Sequence, residues 1–303
     1  MNREEEHSLR FMPVTIRKLL SSDRDDIAEI SRHIWEGNDY LPSVVDDWLK
    51  DPNCHFYGVE ENNRIVAVGN LRLLEDGRTG WMEGLRVHPE HRGRGFANEI
   101  TRYLTKKAEH LGVQRIRYTT SDRNEASLKL AKMAGLSEIS KMAVFWTENP
   151  KQIPPIGNYP PIEKVTPAKA YRLLQASPSI IPYGILTYDW KALDNTLQNI
   201  EEIGKTHDFY VALRQAKIDS LSFGYPRQEP DHVQWSFSVY SFGQDGFLSQ
   251  LSHNVAMALE HGFNSIGCVF ETRFEKTLNE LDWGSAEHWA GHLVLLEKQI
   301  HAK

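Results

Sequence analysis

Glu83 offers a carboxylate for proton transfer, and soon after it Leu85-Arg86-Val87 runs into the basic glycine turn Arg92-Gly93-Arg94-Gly95-Phe96-Ala97. Gly93 and Gly95 carry no side chains, so main-chain N–H groups there can converge on an anion. A helix beginning near Ala97 would add its unpaired first amides and the positive end of its dipole. Arg92 and Arg94 would contribute mobile positive charge, and the whole reads as a seat for a phosphate or diphosphate. A P-loop needs Gly-Lys-Ser/Thr, which is absent, and a dinucleotide fingerprint needs a small residue where Asn98 stands. A plain strand-to-helix turn stays open as the alternative.

The elements that must position these groups follow from apolar periodicity. A short strand is expected over Val14–Leu20. Ile27, Ile30 and Ile34 mark a helix over Asp23–Trp35, and Pro42 opens a second helix carrying Val45, Trp48 and Leu49. Strands are expected at His55–Glu60, Arg64–Leu74 and Thr79–Val87. After the glycine turn, Ile100, Tyr103, Leu104 and Ala108 share a helical face that Gly112 ends. A strand at Arg115–Thr120, a helix at Asn124–Ala134 and a further strand up to Trp146 complete a mixed α/β sheet entered by helices.

The chain has 303 residues, enough for two cores. Residues 1–149 read as one domain, 150–167 as a proline-rich linker and 168–303 as a second domain. Ala258 to Ile266 echoes Ala108 to Ile116, which suggests tandem copies of one fold. The second copy is degenerate: Ser241-Phe242-Gly243-Gln244-Asp245-Gly246 stands where the anion turn would be, with acid in place of arginine. It would not hold the same anion, and covering a substrate cleft or building a dimer surface would suit it instead.

A net charge of −6 argues against nucleic acid as a partner. No apolar run reaches membrane-spanning length, and the first residues are too polar for a signal peptide, so a cytoplasmic protein without membrane contact is expected. Cys54 and Cys268 lack ligand spacing and read as reduced thiols, and the 13 histidines show no zinc pattern, so no metal is expected.

The spacing Arg92-x-x-Gly95-x-Ala97 resembles the acyl-CoA pyrophosphate signature of the GNAT N-acetyltransferase superfamily. Gly37-Asn38-Asp39-Tyr40-Leu41-Pro42-Ser43, Trp48-Leu49-Lys50-Asp51-Pro52 and Glu83-Gly84-Leu85-Arg86-Val87 look like the histidine N-acetyltransferase group of tandem-GNAT proteins. Ser177-Pro178-Ser179, Asp189-Trp190 and Phe242-Gly243-Gln244-Asp245-Gly246 extend that likeness into the second half.

Membership would imply acetyl transfer from acetyl-CoA to the amino group of a small molecule, such as histidine, by direct attack in a ternary complex. Protein or peptide N-acetylation, and CoA binding without turnover, are the alternatives. The resemblance implies that Leu85, Arg86 and Val87 line the pantetheine arm, that Arg92, Gly93, Arg94, Gly95, Phe96 and Ala97 hold the pyrophosphate, and that Asn124 touches the cofactor or merely caps its helix. Glu83 is the expected base, its pKa raised by burial between Trp81 and Leu85 unless it lies on an exposed face. Asp39 and Tyr40 are expected at the acceptor pocket, with Asp39 pairing to an ammonium or imidazole, or else serving as a capping residue. Where such enzymes often carry a tyrosine acid this chain has Ala131, which leaves Tyr118 or a water for that task.

Overall fold

The computed structural model describes residues 14–34, 37–153, 161–229, 232–281 and 289–300. The chain forms two compact units. One comprises Met1–Arg117, Leu130–Leu136 and Lys298–Lys303, the other Tyr118–Lys129 and Ser137–Glu297.

The first unit follows the expected order closely: β1 (Thr15–Lys18), α1 (Arg24–Arg32), α2 (Leu41–Lys50), β2 (Cys54–Glu61), β3 (Arg64–Leu74), β4 (Thr79–Val87) and α3 (Phe96–His110). β5 (Arg115–Ser121) and α4 (Glu125–Met133) follow, each crossing the division between the units. β1 to β4 pair antiparallel in sequence order, and β4 then pairs parallel with the first residues of β5. Ile27 and Ile30 are fully buried as their spacing requires, in a core with Leu41, Val45, Trp48 and Phe56. α1 stops at Arg32, before the expected end at Trp35, and Trp35 lies outside the described residues.

The second unit contains β6 (Ser137–Thr147), β7 (Ile162–Val165), α5 (Pro167–Ala176), β8 (Ile185–Tyr188), β9 (Lys191–Asp194), α6 (Leu197–Ile203), β10 (Asp208–Arg214), β11 (Lys217–Gln228), β12 (Val233–Ser241), α7 (Gln244–Glu260), β13 (Ser265–Glu271), α8 (Glu275–Asn279) and β14 (Trp289–Gln299). Its sheet runs β14-β6-β13-β12-β11-β10-β7, with β12 and β13 parallel and the other neighbours antiparallel. β8 and β9 form a separate hairpin.

The division between units does not fall in the proline-rich stretch, of which residues 154–160 lie outside the description. β6 ends the first half of the sequence, yet it hydrogen-bonds to β13 on one side and β14 on the other. Alternating apolar residues show that a strand exists, but a strand's partner depends on edges formed by distant segments.

The echo between the halves is a repeated piece of backbone. α3 ends with Gly112 at φ 75°, its N–H donating to Glu109 O, while Val113 N–H donates to Ala108 O. α7 ends with Gly262 at φ 77°, its N–H donating to Leu259 O, while Phe263 N–H donates to Ala258 O. Each is a left-handed helix stop leading into a strand, a conformation glycine adopts without a Cβ penalty. The strands before the two helices differ: the β12–β13 ladder runs unbroken from Gln234 to Val239, whereas β4 pairs with β5 only over Thr79, Gly80 and Trp81.

Candidate active site

The free stretch of β4 beyond Trp81 is where the candidate residues gather. Asn70 opposes Glu83 and Val68 opposes Arg86, so Gly84 and Leu85 together face the single residue Gly69, a β-bulge. Gly84 takes φ 66°, and a Cβ there would stand 2.6 Å from the ring of Trp48 on α2. Both its backbone angle and its packing therefore demand glycine. The bulge also sets direction. Residues three apart on a regular strand point to opposite faces, but Glu83 and Arg86 oppose β3 residues two apart and therefore share a face.

On that face both side chains are engaged. The Glu83 carboxylate accepts from Asn70 Nδ2 at 2.9 Å and from Arg72 Nε at 2.8 Å, and its side chain is 15 % exposed. Arg72 also donates to Asp51 at 2.9 Å. Burial works against its charge, but the carboxylates of Glu83 and Asp51 outweigh that and hold the guanidinium firmly ionised. The expectation of an apolar setting between Trp81 and Leu85 is thereby corrected: Glu83 sits in an ion pair with an amide beside it. Asn70 itself is wholly buried, with Oδ1 unpartnered.

Asp39 is already engaged by groups of the protein itself. Its side chain is fully buried and makes two parallel bonds to Arg86, Nε–Oδ2 at 3.0 Å and Nη2–Oδ1 at 2.9 Å. Such a two-pronged pair fixes both partners in one orientation. Asp39 Oδ1 also accepts from Leu41 N–H, the start of α2, at 3.3 Å. Tyr40 lies with its ring 5.4 Å from the Arg86 guanidinium and 41 % of its surface exposed. The ring face steadies the cation, and the phenol remains available to a ligand. Desolvation of that phenol, ahead of the opposing charge of Arg86, raises its pKa and keeps the proton on.

The glycine turn has the backbone an anion seat needs. Gly93 and Gly95 adopt φ 77° and 91°, and a Cβ at either would meet nothing within 4 Å, so the space above the turn is open. Gly95 precedes α3 without any side-chain cap, and among the described residues no backbone hydrogen bond is donated by the amides of residues 93 to 97. The two arginines are not equivalent. Arg94 is clasped by Glu61 through both terminal nitrogens, with His91 3.0 Å from the same carboxylate, so it is fixed and not mobile. Arg94 in turn holds the Glu61 carboxyl below the usual range. Arg92 makes no such pair among the described contacts: its Nε donates to Val87 O at 3.3 Å and the residue is exposed. Gly95→Ala forces a Cβ into a left-handed position. We expect CoA affinity to fall about tenfold with an unchanged circular dichroism spectrum, and titration calorimetry checks this.

Asn124 belongs to the second unit, where its Oδ1 accepts from Ser127 N–H at 3.1 Å, as an ordinary helix cap for α4 does. Ala131 is buried. Tyr118, also in the second unit, donates its hydroxyl to Ser127 O at 2.9 Å, and burial raises its pKa. Cys54 and Cys268 are buried free thiols, Cys54 pushed by burial up to about 11 and Cys268 well above the ordinary thiol value. Native protein should therefore show no fast thiol with Ellman's reagent, and both should react after unfolding. Spacing alone could not reveal that Glu29 on α1 and His33 just past its end bring ligand-type atoms within 4.8 Å of His88, although Glu29 is already paired with Arg32 at 2.7 Å.

The family model described as "Acetyltransferase (GNAT) family" matches residues 22–136, the span of the bulged strand, the turn and α3. An "Acetyltransferase" of Yersinia pestis (strain Pestoides F) is 33 % identical over 110 residues, which are 34 % of this chain and 75 % of that protein. The chain belongs to the GNAT acetyltransferase family. A "Histidine N-acetyltransferase" of Oreochromis niloticus is 33 % identical to this GNAT chain over 102 residues, covering 33 % of this chain and 30 % of the relative. The chain thus spans only about a third of the length of the first curated relatives it matches. The solved structure described as a tandem GNAT protein from the clavulanic acid biosynthesis pathway aligns with 96 % of this chain and 100 % of its own, at a TM-score of 0.57 and 12 % identity. That likeness shows a tandem GNAT fold. Among the described residues, no helix of this GNAT protein is long and apolar enough to cross a membrane.

Proposed function

We propose that this chain transfers the acetyl group of acetyl-CoA to the amine of a small molecule, with amino acids such as histidine as the favoured acceptor class. The observation that carries this reading is the end of the β4–β5 ladder at Trp81, so that among the described residues no ladder on that side reaches the bulged segment from Glu83 to Val87. Backbone groups of Leu85, Arg86 and Val87 are suited to the amide-rich pantetheine arm, and the open amides of the glycine turn, with Arg92 beside them, to the diphosphate. The name histidine N-acetyltransferase, printed for relatives that this chain covers to about a third of their length, supports an amine acceptor.

In the proposed reaction a neutral amine attacks the thioester carbonyl, an N–H of the bulge steadies the developing oxyanion, and the amine's proton passes to Glu83. Arg72 and Asn70 hold that carboxylate in one orientation. Ala131 supplies no acid, and the Tyr118 hydroxyl is spent on the Ser127 carbonyl. Tyr40, half-exposed beside Arg86 with its phenol protonated, is the residue proposed to protonate the departing thiolate.

The test is CoA binding by calorimetry, followed by thiol release from acetyl-CoA across free amino acids, polyamines and short peptides. Release with free amino acids supports the reading. Release with peptides alone would replace it with a peptide acetyltransferase, and binding without release would leave a CoA-binding protein.

A further inference from the structure

Away from β4, the second unit contains a cavity of about 200 Å³ lined by residues of β6, β11, β12, β13, β14 and the β8–β9 hairpin. Typical drug-sized ligands occupy about 300–1,000 Å³, so this space suits a ring or a short chain. Val144, Trp146, Val269 and Leu293 give it an apolar lining, and Trp146 is fixed by its Nε1–H donating to Gln234 Oε1 at 3.1 Å.

The hairpin tip supplies the remaining wall. Tyr188 pairs with Lys191, so Asp189 and Trp190 are its two-residue loop. Such loops favour glycine second where both residues take positive φ. Here only Asp189 is left-handed, at φ 46°, which aspartate tolerates, and the second position holds Trp190, 44 % exposed to solvent. Asp189 Oδ1 accepts from Ser236 Oγ at 2.6 Å and Oδ2 from Tyr225 OH at 2.5 Å, two neutral donors that orient the carboxylate without cancelling its charge. Arg227 is shared: one nitrogen is 3.6 Å from Asp189 while Nε donates to Glu229 at 2.8 Å. Asp189 and Arg227 are the charged residues of the lining, and because Arg227 is drawn closer to Glu229 than to Asp189, the Asp189 carboxylate is only partly met by it.

We propose that this cavity binds a small molecule carrying a protonated amine or imidazolium on a flat or apolar body, with Asp189 as counter-charge and Trp146 and Trp190 as aromatic walls. A carboxylate flanked by indole faces attracts a cation twice, by direct charge and through the ring quadrupole. An anion would meet repulsion, and a purely apolar guest would desolvate Asp189 without compensation. The site is built within the second unit alone and does not depend on acetyl transfer.

The probe is histamine, titrated into the full chain by calorimetry without acetyl-CoA, against N-acetylhistamine, which lacks the ammonium. Saturable histamine binding is expected, at least about tenfold tighter than N-acetylhistamine. Asp189→Asn should weaken it at least about tenfold and Trp190→Ala about fivefold, with CoA affinity unchanged in both as the check on folding. Trp190 is exposed at a loop tip, so its variant keeps the test open should Asp189→Asn fold poorly. Equal histamine affinity in both variants would overturn the proposal. So would the absence of saturable binding by histamine, agmatine or histidine methyl ester up to about 10 mM.

Discussion

Replacing Glu83 by Gln should lower kcat by about 10²–10⁴-fold if it is the base proposed above, while the affinity for CoA should stay within about twofold. The substitution keeps the shape and one acceptor oxygen for Asn70 and Arg72, so packing on β4 is preserved and the lost function is proton acceptance. It also leaves Arg72 with Asp51 as its remaining carboxylate partner, which limits the structural damage. Single-turnover measurement of thiol release with saturating acceptor reads the chemical step directly. A kcat within a few-fold of the parent would remove Glu83 from proton transfer and leave it as a structural partner of Arg72. The network makes a second, smaller change informative: Arg72→Lys keeps a positive charge but loses the Nε–H that meets Glu83, and should lower kcat by about tenfold with little effect on CoA binding.

Asp39→Ala should destabilise the protein by about 3–5 kcal/mol, to be read by urea titration of tryptophan fluorescence. The carboxylate is fully buried and engages Arg86 through two parallel bonds. Removing it takes two parallel bonds from a largely buried guanidinium, and it also removes an acceptor for the first amide of α2. Because Arg86 sits on the bulged segment, the same change should disturb the groups proposed to hold the pantetheine arm, so CoA affinity falls along with stability. Replacing the pair together, Asp39→Leu with Arg86→Met, should recover much of the lost stability without restoring CoA affinity. An unchanged unfolding midpoint with a raised acceptor KM would place Asp39 in acceptor binding instead.

The gap between these expectations and those drawn from residue order alone has a definite source. β4 occupies the residues that alternation assigned to it, and the turn Gly93–Gly95 has the left-handed angles its glycines implied. Both depend on local preferences, the period of a strand and the freedom of a residue without a Cβ. Arg94, by contrast, looked mobile because its partner Glu61 lies 33 residues away. Asp39 looked available because Arg86 lies 47 residues away. The bulge at Gly84 left a trace in the sequence, a glycine inside a strand, but its register needed β3 to be seen opposite it.

Residue order by itself therefore determined the elements of the first unit, the anion-accepting shape of the turn and the tandem echo that marks the second half, since each arises from contacts or angles within a few residues. Tertiary structure alone decided which charges are spent and which remain open. It neutralised Arg94 and Asp39, turned Glu83 and Arg86 to one face, paired β6 with β13 and β14, and brought Asp189 and two indoles around one cavity. A side chain's charge acts according to what is folded against it, and the groups folded against these were contributed by segments far away along the chain.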